Sequence, residues 1–360
     1  MPCTVPRNNL PALTTMRAAR YHVGLAGIAL ALCALPTVAG STNCRVAGHA
    51  DCFQTLPLPL SGGSLHYYAS LAPGNAEATL PTRALIALHG HARDANKTFD
   101  AALRAVRDAG AMGDTLVIAP VFQVPSGRAE RCSTTGVPHA QDGDLLWTCA
   151  AWAQGGRASN GSRPGSFAVM DALIDELSTS WPSLHTITVA GFSAGAQMVQ
   201  RYIAFAQERP AGLARLRYVV ADPGTWLYFD PVRPVPVDAH ACPALNQWKY
   251  GTDDLPAWLG RSAQEARRHY AAADISYIEG ALDNGPGKGK AYRVLDRSCA
   301  AQAQGPDRLA RGLAYAQYDR TLLAPDKARQ VVMVPGCAHD VACVFPSPAA
   351  RAALLGPARP

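Results

Sequence analysis

Thr186-Ile187-Thr188-Val189-Ala190-Gly191-Phe192-Ser193-Ala194-Gly195 decides how this chain is read. The first five residues are uncharged and β-favouring, the pattern of a strand buried on both faces of a parallel sheet. Beyond Ala194, apolar residues return at helical spacing through Met198, Tyr202 and Phe205. Ser193 therefore stands where a buried strand turns sharply into a helix, with a glycine two residues to either side. Such a turn lifts a serine Oγ above the sheet edge, and the glycines leave room for it. The pentapeptide alone is common. In this setting it marks Ser193 as a candidate nucleophile and the Ala194 N–H as a candidate donor to a developing oxyanion.

Working outward, strands and helices alternate. Residues 64–71 read as an early strand, residues 84–89 as a continuous apolar strand ending at Gly90, and residues 115–120 as another, stopped by Pro120. Further strands are expected at residues 218–221, 275–278 and 330–334, and helices near 98–109, 166–179, 260–272 and 307–320. This alternation predicts an α/β fold with a mostly parallel central sheet and helices on both faces. Residues 41–360 are expected to form one domain, with irregular excursions at about 123–165 and 223–258. Those excursions hold Trp147, Trp152, Trp226, Trp248 and Trp258, which either line a groove or simply pack. The Ala/Pro-rich tail after Pro346 predicts little order.

Three further positions complete a constellation. His89-Gly90-His91 ends an earlier buried strand, and the His91 N–H is the candidate for a second oxyanion donor, with Gly90 as the alternative. A base should follow the serine and the acid in chain order. Of His240, His269 and His339, only His339 directly follows an expected strand. Asp283 lies just past the preceding strand and is the preferred acid; Asp222, at the end of the strand before that, is the alternative. The carboxylate is expected to raise the His339 pKa above the usual 6.5 or so.

Leu88-His89-Gly90, Gly-Phe-Ser193-Ala-Gly, Gly-Ala-Leu-Asp283 and Gly-Cys-Ala-His339 together resemble the α/β-hydrolase superfamily. Within it the chain looks most like secreted serine esterases of the polyhydroxybutyrate depolymerase-like and feruloyl esterase-like kind. It differs from the depolymerase-like branch in carrying His91 where that branch usually has cysteine. The resemblance spans residues 83–345 or so. It implies hydrolysis of small or polymeric carboxylic esters through an acyl-enzyme, with no metal or organic cofactor. A peptidase or amidase on the same triad, and a non-catalytic binding protein, are the other readings.

Composition sets outer limits. The 360 residues are 48% hydrophobic and 17% charged, as in globular proteins. The formal net charge is +6, and three of the positives, Arg7, Arg17 and Arg20, fall in the first 40 residues, which hold no acid. Without that segment the balance is +3 (6 − 3), which argues for neither a nucleic-acid nor an anionic-membrane partner, and no Lys/Arg run or aromatic-basic stripe is present; no nucleic-acid partner is expected. Residues 1–40 read as a cleaved export signal: Arg17 and Arg20, the apolar run Val23–Leu35, then small residues at Ala39, Gly40 and Ser41. That run is shorter than the roughly 20 residues of a membrane span. A secreted or periplasmic location is expected.

The cysteines agree with export. Eight of the ten lie beyond the signal, and no Cys-x-x-Cys pair suggests a metal. Nearest-neighbour pairing, which closes the shortest loops, is the simplest expectation and would give Cys44–Cys52, Cys132–Cys149, Cys242–Cys299 and Cys337–Cys343, with a Cys299–Cys337 bridge, or free thiols at Cys337 and Cys343, as alternatives. A Cys337–Cys343 bridge would brace the loop that carries His339.

Overall fold

The computed structural model describes residues 44–73, 80–129, 131–209, 214–238 and 240–356. The expected export segment, residues 1–40, lies outside them. Eight strands are described: β1 (Phe53–Leu58), β2 (Gly63–Ala69), β3 (Arg83–Leu88), β4 (Thr115–Val121), β5 (Thr186–Phe192), β6 (Arg215–Ala221), β7 (Ile275–Gly280) and β8 (Val331–Val334). They form one sheet in the order β1-β2-β4-β3-β5-β6-β7-β8. β1 pairs antiparallel with β2, and β2 antiparallel with β4. Every pairing from β4 to β8 is parallel. The expected mostly parallel sheet is therefore present. β1 had no counterpart in the sequence reading, because Pro57 interrupts its pattern; the sheet tolerates that proline because β1 is an edge strand.

The nine helices described are α1 (Ala95–Asp108), α2 (Ser126–Ala129), α3 (Ser166–Ser180), α4 (Ala194–Phe205), α5 (Ala263–Ala272), α6 (Cys299–Gln302), α7 (Arg308–Tyr318), α8 (Val341–Val344) and α9 (Pro348–Leu355). Side chains alternate along each strand, so each strand feeds two cores. In β3, Ala84, Ile86 and Leu88 join the core built with α3, α4, α5 and α7. Leu85 and Ala87 join the opposite core, built with α1, α8 and α9. Helices thus cover both faces. This is why the central strands read as unbroken apolar runs: all seven residues of β4 are buried.

The two excursions are irregular and flank the sheet's C-terminal edge. Trp147, Trp152 and Trp226 within them are buried core residues, whereas Trp258 is 54% exposed. Packing explains the buried three. All four cysteine pairs form as nearest neighbours, with Cα separations of 5.6–5.8 Å. These disulfides fit an oxidising compartment.

The tail corrects an expectation. Residues after Pro346 form α9, capped by the Ser347 hydroxyl on the Ala350 N–H and started by Pro348. Its Ala350, Ala353, Leu354 and Leu355 are buried against the sheet's second face. The residue types looked like a linker, but their spacing is that of a helix with one apolar side. No helix among the described residues is long and apolar enough to cross a membrane.

Candidate active site

The serine turn is strained and locked. Ser193 has φ 58° and ψ −118°, a conformation that costs a non-glycine residue on the order of 1–3 kcal/mol. Its N–H donates to the Ala221 carbonyl at 3.0 Å, and its own carbonyl accepts from the Gln197 N–H at 3.1 Å. A Cβ on Gly195 would overlap the Leu88 and His89 carbonyls, and one on Gly191 would overlap the Gly195 backbone. Both glycines are therefore required for α4 to pack this closely on β3 and β5. Ser193 thus sits at the N-terminal end of α4, where the helix dipole favours negative charge.

Neighbouring parallel strands bring Asp283 and His339 together. Beyond the paired β7 and β8, the Ala281 N–H donates to the Val334 carbonyl at 3.0 Å and the Leu282 N–H to the Cys337 carbonyl at 2.8 Å. The two loops run on side by side. The Ser193 hydroxyl then lies 2.8 Å from His339 Nε2, and His339 Nδ1 lies 2.7 Å from Asp283 Oδ2. With Nδ1–H donating to the carboxylate, Nε2 is left as acceptor for the serine proton. The His339 ring also packs on Phe192, with centroids 4.8 Å apart. Its N–H donates to the Gly289 carbonyl at 3.1 Å, and the Cys337–Cys343 bridge brackets its loop.

Electrostatics at this histidine run against expectation. Its pKa is lowered, chiefly because the ring is buried, and the positive charge of Arg308 adds to that. The hydrogen bond to Asp283 opposes the shift without overcoming it. Arg308, itself buried, reaches the second Asp283 oxygen at 3.4 Å and donates to the Lys290 carbonyl at 2.9 Å.

Asp222 does not meet the imidazole in this way. It is fully buried, its Oδ1 accepts from the Gly280 N–H at 2.8 Å, and its Oδ2 has no partner. Burial, aided by the charge of Asp283, raises its pKa to about 7. Beside it Glu279 is buried in β7 with neither oxygen bonded, and burial pushes its pKa well above the carboxylate range. Asp222, Asp283 and His339 converge within 4.8 Å. The facing atoms of Asp283 and His339 are spent on each other, as a histidine-orienting pair requires.

The loop after β3 lies against the serine. A Cβ on Gly90 would sit 3.7 Å from the Ser193 Cβ. The Gly90 N–H donates to Asp94 at 3.0 Å and is thereby engaged within the loop. His89 is buried and packing-bound: its Nδ1 pairs with the Gly90 carbonyl at 2.8 Å and its Nε2 accepts from the Phe122 N–H at 3.3 Å. Burial lowers its pKa to about 4, so it is neutral near pH 7. His240 is exposed, and His269 binds the Ile203 carbonyl at 2.6 Å; neither approaches Ser193.

Two cavities meet at Ser193. One of about 550 Å³ is lined by His339, Phe192, Val294 and Val341, with Asp94 and Lys97 of the α1 side. The other, about 170 Å³, is lined by Ala194, Gln197, Arg201, Lys249, Asp296 and Arg308. None of the five tryptophans lines either one. The sequence reading missed Asp94, Arg201, Lys249 and Arg308. Asp94 carried a signal, as an acid just ahead of an expected helix; the three cations carried none.

This strand order, with a serine turn at the end of β5 and an acid and a histidine beyond β7 and β8, is the α/β-hydrolase fold. Solved structures agree. The chain is similar to a poly(3-hydroxybutyrate) depolymerase from Bordetella parapertussis, at 17% identity and a TM-score of 0.56, over 82% of this chain and 86% of that one. It is also similar to poly(aspartic acid) hydrolase-1 from Sphingomonas sp. KT-1, at 19% identity and a TM-score of 0.55, over 81% and 94% respectively. No family model and no curated protein matches the chain.

Proposed function

We propose that this chain is an exported serine esterase that cleaves carboxylic esters through an acyl-enzyme on Ser193, His339 and Asp283. The observation that carries the reading is the unbroken relay of 2.8 Å and 2.7 Å from the Ser193 hydroxyl through the imidazole to the Asp283 carboxylate, opening onto a cavity. Ser193 Oγ attacks the ester carbonyl carbon while His339 Nε2 takes its proton. The carbonyl oxygen becomes an oxyanion held by the His91 and Ala194 N–H groups. As the C–O bond to the alcohol breaks, His339 returns the proton to the leaving oxygen. Water then repeats the sequence on the acyl-enzyme and releases the acid. The four disulfides and the basic-then-apolar N-terminal segment support export.

The test is Ser193→Ala. Hydrolysis of p-nitrophenyl butyrate and labelling by a fluorophosphonate should both vanish, with the melting curve retained. Labelling that persists in the variant would place the nucleophile elsewhere.

A further inference from the structure

The small cavity beside Ser193 has an unusual charge. Ser193, Gln197 and Arg201 are spaced four residues apart, so they share one face of α4. Arg201 is 0% exposed. Its guanidinium bonds only neutral oxygens: Ala153 O at 2.9 Å, Thr225 Oγ1 at 2.9 Å, Gln197 Oε1 at 3.3 Å and Lys249 O at 3.4 Å. No carboxylate pairs with it among the described residues. Burial lowers its pKa to about 10, so it stays charged at neutral pH. A buried guanidinium without a counter-ion is costly.

Lys249 adds a second cation. Its side chain is 25% exposed, and its nearest acid is Asp296 at 3.4 Å. That acid also accepts from the Tyr250 hydroxyl at 2.6 Å and the Ser298 N–H at 2.9 Å. Arg308 is the third cation on the wall, and it shares Asp283 with His339. Asp296 is the one acid lining the cavity against Arg201, Lys249 and Arg308. Gln197 turns its amide oxygen to Thr225 and Arg201, which leaves its NH2 against Gly224 on the cavity wall.

The two cavities can be assigned to the two halves of an ester. The leaving oxygen must take its proton from His339, and His339 lines the larger cavity, not the smaller. The alcohol therefore departs through the larger one. The smaller, which holds Ser193, Ala194 and Gln197, receives the acyl chain.

We propose that the smaller cavity is a carboxylate subsite, built for a short acyl group with a free carboxylate at its far end, held by Lys249 and the Gln197 NH2 in the field of Arg201. This rests on the esterase reading above. The preferred substrate class is then the half-ester of a short dicarboxylic acid, free or at the acid-terminated end of a diacid–diol polyester.

The experiment compares mono-p-nitrophenyl adipate with methyl p-nitrophenyl adipate, which share the scissile ester and chain length and end in a carboxylate and in its methyl ester. The wild type should favour the monoanion by roughly tenfold or more in kcat/KM, the scale of one charge-assisted hydrogen bond. Lys249→Met should remove most of that preference through KM, and Lys249→Arg should keep it. Equal or better use of the neutral diester by the wild type would overturn the proposal. So would a Lys249→Met variant that slows both esters by one factor, which is what a merely structural lysine predicts. Millimolar glutarate gives a readout independent of turnover: it should raise the melting temperature of the wild type and not that of Lys249→Met. If neither ester is cleaved but this difference holds, the esterase reading falls and the anion site stands. If glutarate shifts both proteins alike or neither, the site falls.

Discussion

Asp222→Asn and Asp283→Asn separate two buried carboxyls that lie side by side near His339. Asp283 bonds the imidazole at 2.7 Å, whereas Asp222 accepts from the Gly280 N–H and lies against Glu279. Asn at position 222 keeps an acceptor for that N–H and tolerates the left-handed φ of 50° found there. The pKa of Asp222 stands at about 7 against a usual 3.8. The folded state therefore holds this proton more tightly than the unfolded chain does. Its stability falls as pH rises from about 4 through about 7. Three units at about 1.4 kcal/mol each bound the cost of the ionised group at roughly 4 kcal/mol. Asn cannot ionise, so Asp222→Asn should be more stable than the wild type at pH 8. A gain of even half that bound corresponds to a few degrees in melting temperature for a chain of this size. Its kcat should remain within about tenfold of the wild type. Asp283→Asn should lower kcat on the order of 10⁴-fold, because the imidazole loses the group that fixes its tautomer. Turnover of p-nitrophenyl butyrate and melting curves at pH 6 and pH 8 read both effects. A larger loss of kcat in Asp222→Asn than in Asp283→Asn would refute the assignment of the acid. An Asp222→Asn protein less stable than the wild type at pH 8 would refute the burial argument.

Two further outcomes follow from the same corner of the molecule. His339 acts as a base only when neutral, and burial lowers its pKa, so kcat/KM should rise with pH with a midpoint below the usual 6.5; a midpoint above that value, or a flat profile from about pH 4 to 8, would count against it. Cys337→Ser with Cys343→Ser should lower kcat by about tenfold or more while costing about 2 kcal/mol or less in stability, since the bridged step is only 6 residues; an unimpaired double variant would show that the bridge does not hold His339 in register.

Much of this was legible because buried parallel strands write themselves as apolar runs. β3, β4 and β5 are buried on both faces and read plainly. The serine turn was legible because its two glycines fill positions where any Cβ would overlap backbone. Asp283 and His339 were found by chain order and by following strands. Asp283 was preferred over Asp222 from sequence, but the two stayed open because both end strands in neighbouring positions of the sheet. The direction of the His339 shift could not be read at all. It is the balance of burial, the charge of Arg308 and the Asp283 bond, and the first two depend on tertiary packing.

Two of the residues that sequence reasoning missed, Arg201 and Arg308, share one physical property. Like Glu279, they are charged types at buried positions, where local pattern predicts apolar side chains. A lone arginine on an otherwise apolar helix reads as a solvated position, and nothing nearby in sequence says otherwise. Such departures cost stability, and proteins concentrate them at functional sites. Some lie elsewhere, as Arg93 and the Arg329–Asp319 pair do, but four gather near Ser193. Glu279 and Asp222 sit behind Asp283, while Arg201 and Arg308 line the cavity next to Ser193. Carboxyls whose pKa is raised by burial lie behind the acid, and positive groups line the smaller cavity.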